Sequence, residues 1–394
     1  MSEHRPTFER FAPPRLGPFR EEAFRSPLHS VRVASILGIA LGVAFSVCFL
    51  TGFLSHLIQH PPSFFGWPAR PTWIYRVTQG VHVTTGIASI PLLLAKLWTV
   101  YPRFWTWPPL RSIPQAIERI ALVPLVGGSL FMLFTGVGSI ARWFPWEFSF
   151  PPAHYSGAWL TIGALVVHVG AKAGAARLAL SPRSRGSTAA ERAWGGLSRR
   201  GFLGAAFGGA AALVVATVGQ TLRPLAAISV LAPRDPRTGP QGVPVNKTAR
   251  SAGVVDAARS DSWRLAVRGN IETPLSLTLD ELRAMQQREA DLAIACVDGW
   301  SAAATWRGVP VVALLSLAGA SPGAIATVVS LQDPGAAYAS SELTDGQIAD
   351  ADTLLALELN GETLDIDHGF PVRLIGPNRP GVQQTKWVTA VIVS

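Results

Sequence analysis

Three histidines lie inside long apolar runs of this 394-residue chain, and one cysteine ends a short β-like run in its polar half. An ionisable side chain in an apolar segment is costly, so His56, His82 and His168 call for a chemical reason, as does His154 at the mouth of the fourth run. His154 and His168 stand fourteen residues apart, which on a helix is about 21 Å along the axis and nearly the same face. Neutral imidazole is a common ligand of haem iron, and two per iron leave it six-coordinate and suited to electron transfer. By depth, His82 and His168 can face each other across one haem, with His56 and His154 holding a second nearer the outer surface. The pairing of His82 with His154 stays open. Gly80, Gly86, Gly157, Gly163 and Gly170 would let a flat macrocycle approach the backbone. His29 and His60 flank the first run as interfacial residues.

Only two cysteines are present. Cys48 sits within an apolar run and reads as a small buried hydrophobe. Cys296 is in the polar half, so no disulfide framework exists. Ala293-Ile294-Ala295-Cys296-Val297 reads as a buried strand, and Asp298-Gly299 as a turn. A thiolate presented at a strand end suits a soft metal ligand.

The elements that must carry these groups follow from hydropathy. Segments 33–58, 74–98, 119–141, 157–179 and 202–222 are each close to the ~20 apolar residues that span a bilayer. Residues 1–222 hold 20 Lys or Arg against 7 Asp or Glu, whereas residues 223–394 hold 14 against 18. The basic excess thus belongs to the apolar half, which speaks for a membrane protein and against a nucleic-acid-binding one. Arg5, Arg10, Arg15, Arg20, Arg25 and Arg32 precede the first segment. Lys96, Arg103, Arg111 and Arg119 join the second to the third. Lys172, Arg177, Arg183, Arg185, Arg192, Arg199 and Arg200 join the fourth to the fifth. The two other connections hold only Arg70, Arg76 and Arg142. Basic loops stay inside, so the chain is expected to be a multi-pass protein of the cytoplasmic membrane, with its N-terminus cytoplasmic and its C-terminal domain extracytoplasmic. Ser198-Arg199-Arg200-Gly201-Phe202-Leu203 resembles an internal twin-arginine export signal, the route taken by domains that fold around a cofactor before crossing.

The expected domains are a cytoplasmic tail (1–32), a four-helix b-type cytochrome domain (33–180), the twin-arginine-like segment with the fifth spanning helix (181–222), a Pro-, Gly- and Arg-containing linker (223–245) and a soluble domain (246–394). In the last, Trp263–Gly269 alternates like a strand. Thr278 and Glu281 read as a capping box. Lys386–Val393 is a β-rich run. The fold class is an all-α transmembrane bundle of five spans followed by an α+β domain.

The helical part resembles the four-helix b-type cytochrome subunits of membrane oxidoreductases, in span count, topology and histidine positions. The soluble part resembles the sulfite-oxidase-type molybdopterin domain. The resemblance rests on an ordered set: Asn246-Lys247-Thr248, Cys296-Val297-Asp298-Gly299-Trp300-Ser301, Thr305-Trp306-Arg307-Gly308-Val309-Pro310 with Leu314-Leu315, Asn360-Gly361-Glu362, His368-Gly369-Phe370-Pro371-Val372-Arg373-Leu374 and Lys386-Trp387. It implies that Cys296 ligates molybdenum and is the catalytic residue, with the other sulfurs coming from the pterin. It implies that His368 and Arg373 contact the pterin and its phosphate. Asn246, Lys247 and Lys386 would line the same cofactor, and Trp300 and Ser301 would flank the metal loop. Two departures stand out. Asp298-Gly299-Trp300-Ser301 replaces the arginine-rich stretch that holds sulfite, and Gln383-Gln384 stands where a basic residue and Ser are common. The first places the domain nearer the bacterial branch that includes the periplasmic reductase of protein-bound methionine sulfoxide.

Together the two halves imply a membrane-bound molybdenum oxidoreductase. It would act on a small-molecule or sulfoxide-type substrate outside the membrane and exchange electrons, through one or two b haems, with quinone or another carrier. The alternative from another class is a haem b electron-transfer cytochrome whose outer domain is a non-catalytic binding module.

Overall fold

The computed structural model describes residues 17–18, 24, 26–105, 113–181 and 196–394. Of the basic residues used for the topology, Arg5, Arg10, Arg15, Arg20, Arg25, Arg111, Arg183, Arg185 and Arg192 lie outside them. Five long helices occupy the apolar segments: α1 (Val31–Gln59), α2 (Ile74–Val100), α3 (Ile113–Ala141), α4 (Phe150–Leu180) and α5 (Arg199–Thr217). All five are long and apolar enough to cross a membrane. α1 and α4 run past both expected ends, α2 past its C-terminal end and α3 past its N-terminal end. The fifth instead ends early, where a 3-10 turn takes over at Val218–Gln220.

The chain divides into two compact units, Met1–Gly52 with Val81–Thr217, and Phe53–Gly80 with Val218–Ser394. In the first unit, Val33, Leu37 and Leu41 of α1 pack on Leu92 and Leu93 of α2 and on Ala206 and Ala210 of α5. Small residues on α5 let the helices approach, which is how apolar helices associate where no hydrophobic driving force separates them from lipid. Arg199, the first of the twin arginines, donates from Nε to the Pro27 carbonyl at 3.3 Å.

The second unit takes in the connection between α1 and α2 and the outer turns of both helices. It also takes in residues 223–245. In this stretch, expected as a linker, Val243 is fully buried in the core, and Gln241 Nε2 donates to the Leu359 and Thr363 carbonyls at 3.1 and 3.0 Å. A Pro- and Gly-rich composition forbids regular structure without forbidding burial.

The remaining elements of this unit are α6 (Val255–Arg259), β1 (Leu265–Gly269), β2 (Leu275–Leu277), α7 (Leu279–Ala284), β3 (Arg288–Ala295), β4 (Ser301–Pro310), α8 (Val311–Leu317), β5 (Ala326–Ser330), β6 (Ser340–Leu343), α9 (Asp345–Ala349), β7 (Leu354–Leu359), β8 (Glu362–Thr363), β9 (Arg373–Ile375) and β10 (Val388–Val393). They build two five-stranded sheets. The first has the order β2-β1-β10-β5-β6, with β1 and β10 parallel; the second runs β3-β4-β7-β8, with β9 also on β7. The anticipated capping box is present: Thr278 Oγ1 accepts from Glu281 N at 3.1 Å, and Glu281 returns a carboxylate to Thr278 N at 2.7 Å. Trp306, fully buried, donates Nε1 to the Leu292 carbonyl at 3.1 Å and so anchors β4 on β3.

Candidate functional site

Strand β3 runs antiparallel to β4 from Arg288↔Gly308 to Ala295↔Ser301, and the turn between them carries Cys296. The Cys296 amide donates to the Trp300 carbonyl at 2.9 Å, and the Gly299 amide to the Cys296 carbonyl at 3.1 Å. This tight loop fixes the sulfur at the strand end. Cys296 is 5% exposed. Burial, with the Asp298 carboxylate beside it, pushes its thiol up to about 12. A bound metal cation reverses that preference, since metal ligation deprotonates a thiol.

Asn246 organises the surroundings. Its Nδ2 donates to Cys296 Sγ at 3.0 Å and to Asp298 Oδ2 at 2.7 Å. Its Oδ1 accepts from Trp300 Nε1 at 3.3 Å and from the guanidinium of Arg234. With donors on one side of the amide and acceptors on the other, its orientation is determined. Arg234 also lies over the Trp300 ring, 5.9 Å from its centre. Ser301 begins β4, and its buried hydroxyl has no hydrogen-bond partner.

A second group continues from Lys247. Its ammonium bonds Gln332, while Lys386 Nζ donates to the Lys247 carbonyl and, at 2.8 Å, to the Asp367 carbonyl. Arg373 donates to the His368 carbonyl at 3.1 Å, and its ring of contacts includes the Trp306 face at 5.3 Å. Between them Gly369 has φ +117°, and a Cβ there would come within 3.2 Å of the side chains of both Lys386 and Arg373. Only glycine fits that backbone and that gap. His368 donates from Nε2 to the Pro240 carbonyl at 2.7 Å.

These cations have little to balance them. Burial holds Arg373 down to about 9. Burial and then the Arg373 charge lower Lys386 to about 7 and His368 to about 4. Among the described residues neither Arg373 nor Lys386 has a carboxylate within ion-pair distance, and Arg373 Nε is buried without a partner. A cluster of half-satisfied buried cations is a site for a polyanion, and guanidinium suits phosphate. The residues present therefore fit a pterin phosphate, with Cys296 as the sulfur ligand of its metal.

The structure thus brings together Asn246, Lys247, Cys296, Trp300, Ser301, His368, Arg373 and Lys386. It adds Arg234, Asp298 and Gln332, which the sequence did not mark. Arg234 lies in the presumed linker, where no periodicity points to it, and Asp298 reads as a turn former. Arg379 was missed as well. It is 2% exposed, and its guanidinium ties the Glu342 and Gln383 carbonyls at 2.9 and 3.0 Å.

In the first unit, His82 and His154 face each other with ring centres 6.3 Å apart. His82 Nδ1 lies 3.0 Å from the Cys48 carbonyl and 3.1 Å from Thr51 Oγ1. His154 Nδ1 lies 2.8 Å from Thr135 Oγ1. Bonds at Nδ1 leave Nε2 as the ligating atom on each ring, as partners of metal-bound histidine do. Nitrogen–metal bonds of about 2 Å on opposite sides of one iron would set ring centres roughly 6 Å apart. The geometry accommodates one haem iron. The expected partnership of His82 with His168 is not formed. His168 is about 21 Å further along α4 than His154, so it cannot share an iron with His82. In the second unit, His56 stacks on His60 at 4.6 Å.

Glycines also approach the two facing histidines. The ones against the histidine rings are Gly52 and Gly136, where a Cβ would lie 3.1 Å from His82 Cε1 and 3.5 Å from His154 Cε1. Gly80 meets Leu222, Gly86 meets Cys48, Gly157 meets Phe131 and Met132, and Gly163 and Gly170 meet nothing.

Comparison with known proteins gives a family for the C-terminal part of the chain. Residues 252–394 match the family described as the oxidoreductase molybdopterin binding domain. The chain is 35% identical over 148 residues to a putative protein-methionine-sulfoxide reductase subunit YedZ1 of Azospira oryzae, covering 36% of this chain and 51% of that protein. It is 31% identical over 174 residues to nitrate reductase [NADH] 1 of Nicotiana tabacum, covering 37% of this chain and 19% of that one. The chain thus spans about half the length of the first relative and about a fifth of the second. Among solved structures, the sulfane dehydrogenase SoxCD from Paracoccus pantotrophus aligns at 25% identity with a TM-score of 0.31, over 34% of this chain and 38% of that one. The C-terminal part of this chain, residues 252–394, is an oxidoreductase molybdopterin-binding domain of the sulfite-oxidase-like kind.

Proposed function

We propose that this protein is a membrane-bound molybdenum oxidoreductase that exchanges an oxygen atom, or two electrons, with a small sulfoxide-type substrate outside the cytoplasmic membrane. The observation that carries it is the buried Cys296 sulfur, gripped by Asn246, whose neighbour Lys247 accepts from Lys386; among the described residues neither Lys386 nor the buried Arg373 has a carboxylate within ion-pair distance. Bound molybdopterin supplies the two-electron, oxygen-transferring chemistry. The chain supplies the rest. Cys296 holds the metal, and Asn246 fixes the sulfur and the Asp298 carboxylate together. Arg373, His368, Lys386 and Lys247 hold the phosphate and pterin. Asp298, within hydrogen-bond distance of Asn246 and exposed in part, can carry a proton to or from a substrate oxygen. The likeness to a putative protein-methionine-sulfoxide reductase subunit supports the sulfoxide class.

His82 and His154 would hold one b-type haem, which would supply single-electron transfer with a quinone or similar carrier. The five apolar helices support membrane attachment. Membership of Phe53–Gly80 in the same compact unit as Val218–Ser394 supports their lying on one side of the membrane, the outer side by the distribution of basic residues.

The test is elemental and spectroscopic. Purified, correctly matured protein should contain molybdenum and haem together. Iron without molybdenum would favour the cytochrome with an inert outer module, and neither metal would end both readings.

A further inference from the structure

The loop from Asn378 to Gln383 has two working faces, both inside the second unit. One face meets the connection between α1 and α2. Asn378 is 5% exposed and has φ +55°, a conformation in which asparagine is among the few tolerated residues. Its carbonyl accepts from Trp67 Nε1 at 2.8 Å, its Oδ1 accepts from the Tyr75 amide at 2.8 Å, and its Nδ2 donates to the Pro68 carbonyl at 2.7 Å. The Tyr75 amide is one of the unpaired donors that open a helix, so Asn378 caps α2 from 303 residues away. Gln383 does the reverse for α1. Its Nε2 donates to the carbonyls of Ile58 and Gln59 at 2.8 and 3.4 Å, in the last turn. Outside the loop, Arg70 closes the same seam on Asp350 and Asp352.

The other face meets the metal strand. Pro380 forms a parallel bridge with Ala295. At Gly381 a Cβ would stand 3.3 Å from the Ala295 carbonyl oxygen and 3.6 Å from Cys296 Cα, so the loop lies directly on that backbone. Ala295 also packs with Ile58 and Tyr75 in one small apolar cluster. Arg379, between the two faces, bonds the Gln383 carbonyl and the Glu342 carbonyl, which makes the loop stiff.

We propose that Asn378–Gln383 is a positioning element through which the docked connection Ile58–Tyr75 fixes the place of the Cys296 sulfur. The proposal rests on Cys296 being the metal ligand. It also gives Gln383 a role, since its amide donor caps the α1 carbonyls.

The test uses full-length protein carrying Asn378→Ala, Asn378→Asp or Gln383→Ala, with Arg307→Ala as a surface control on the same sheet. Hydrogen exchange is followed at the Tyr75 and Cys296 amides, together with the molybdenum(V) resonance spectrum. Loss of the Asn378 acceptor should speed Tyr75 exchange ~10-fold or more. Exchange at Cys296 should rise with it, and the resonance should shift or broaden. Asn378→Asp keeps the acceptor and should leave Tyr75 protected. Gln383→Ala should loosen Cys296 through the other arm. An unchanged Tyr75 amide in Asn378→Ala would refute docking through this residue. A loosened connection with an unchanged Cys296 amide and unchanged resonance would refute the coupling. Because exchange is read without reference to the metal, wild-type protein lacking molybdenum would sink the enzymatic reading and leave the docking result to stand or fall separately.

Discussion

At the scale of single residues, the site is a cysteine that burial keeps neutral and a set of cations that burial keeps uncomfortable. Cys296→Ser should abolish turnover and molybdenum content while the haem spectrum persists; an active Cys296→Ser protein would remove the sulfur from the mechanism. On the proposed haem assignment, His154→Ala should lose the haem and His168→Ala should retain it, as read by bis-histidine absorbance. The cation cluster makes a pH prediction for protein matured without its cofactor. His368 falls from 6.5 to about 4 in the folded state, so its contribution to stability is present above 6.5 and lost as pH drops through that window. Lys386 falls from 10.5 to about 7, so stability rises as pH climbs from 7 towards 10.5. A bound phosphate would favour both protonated forms and flatten both slopes. Thermal midpoints across pH, with and without cofactor, give the comparison. Cys296 and His82 were legible as chemistry because their types are costly in their surroundings. Arg234 and Arg379 were not, since an arginine in a Pro- and Gly-containing stretch reads as a solvated surface residue until the fold gives it partners.

At the scale of elements, local rules worked where one segment decides its own conformation. The Thr278 capping box depends on residues three apart, so sequence displays it in full. Thr278→Ala should cost about 1 kcal/mol, seen in chemical unfolding of the C-terminal unit. Strand partners are less visible. Gly308 sits at a register shift between β4 and β7, and a Cβ there would lie 2.1 Å from the Leu355 carbonyl oxygen. Gly308→Ala must push the two strands apart and should destabilise the unit more than the loss of the cap does. The histidine partners show the same limit. Spacing along α4 put two candidate ligands near one face, but which of them meets His82 depends on how α2 and α4 pack.

At the scale of the whole molecule, the compact units do not follow the hydropathy boundaries. Phe53–Gly80 joins the oxidoreductase unit, as do residues 223–245. If that unit lies outside, protease added to the outer face should reach exposed sites such as Asp256 or Glu272 but leave the inner connections intact. Replacing Arg199 and Arg200 by lysine should strand the C-terminal domain inside with the first four spans inserted. Arg199 also bonds the Pro27 carbonyl, so protein that exports normally but is less stable would assign the pair to packing instead of export.

By itself the sequence determined the five apolar helices, the strand that leads to Cys296, the Thr278 cap and the molybdopterin-binding character of the C-terminal part. Each of these depends on residue type, periodicity or short spacing, which are properties of contiguous chain. The tertiary structure alone decided that His82 meets His154, that Arg234 and Asp298 converge on Asn246, and that Asn378 caps a helix at the far end of the sequence. Those contacts join segments tens to hundreds of residues apart, and their energies come from burial and from satisfying polar groups that are exposed until the chain folds.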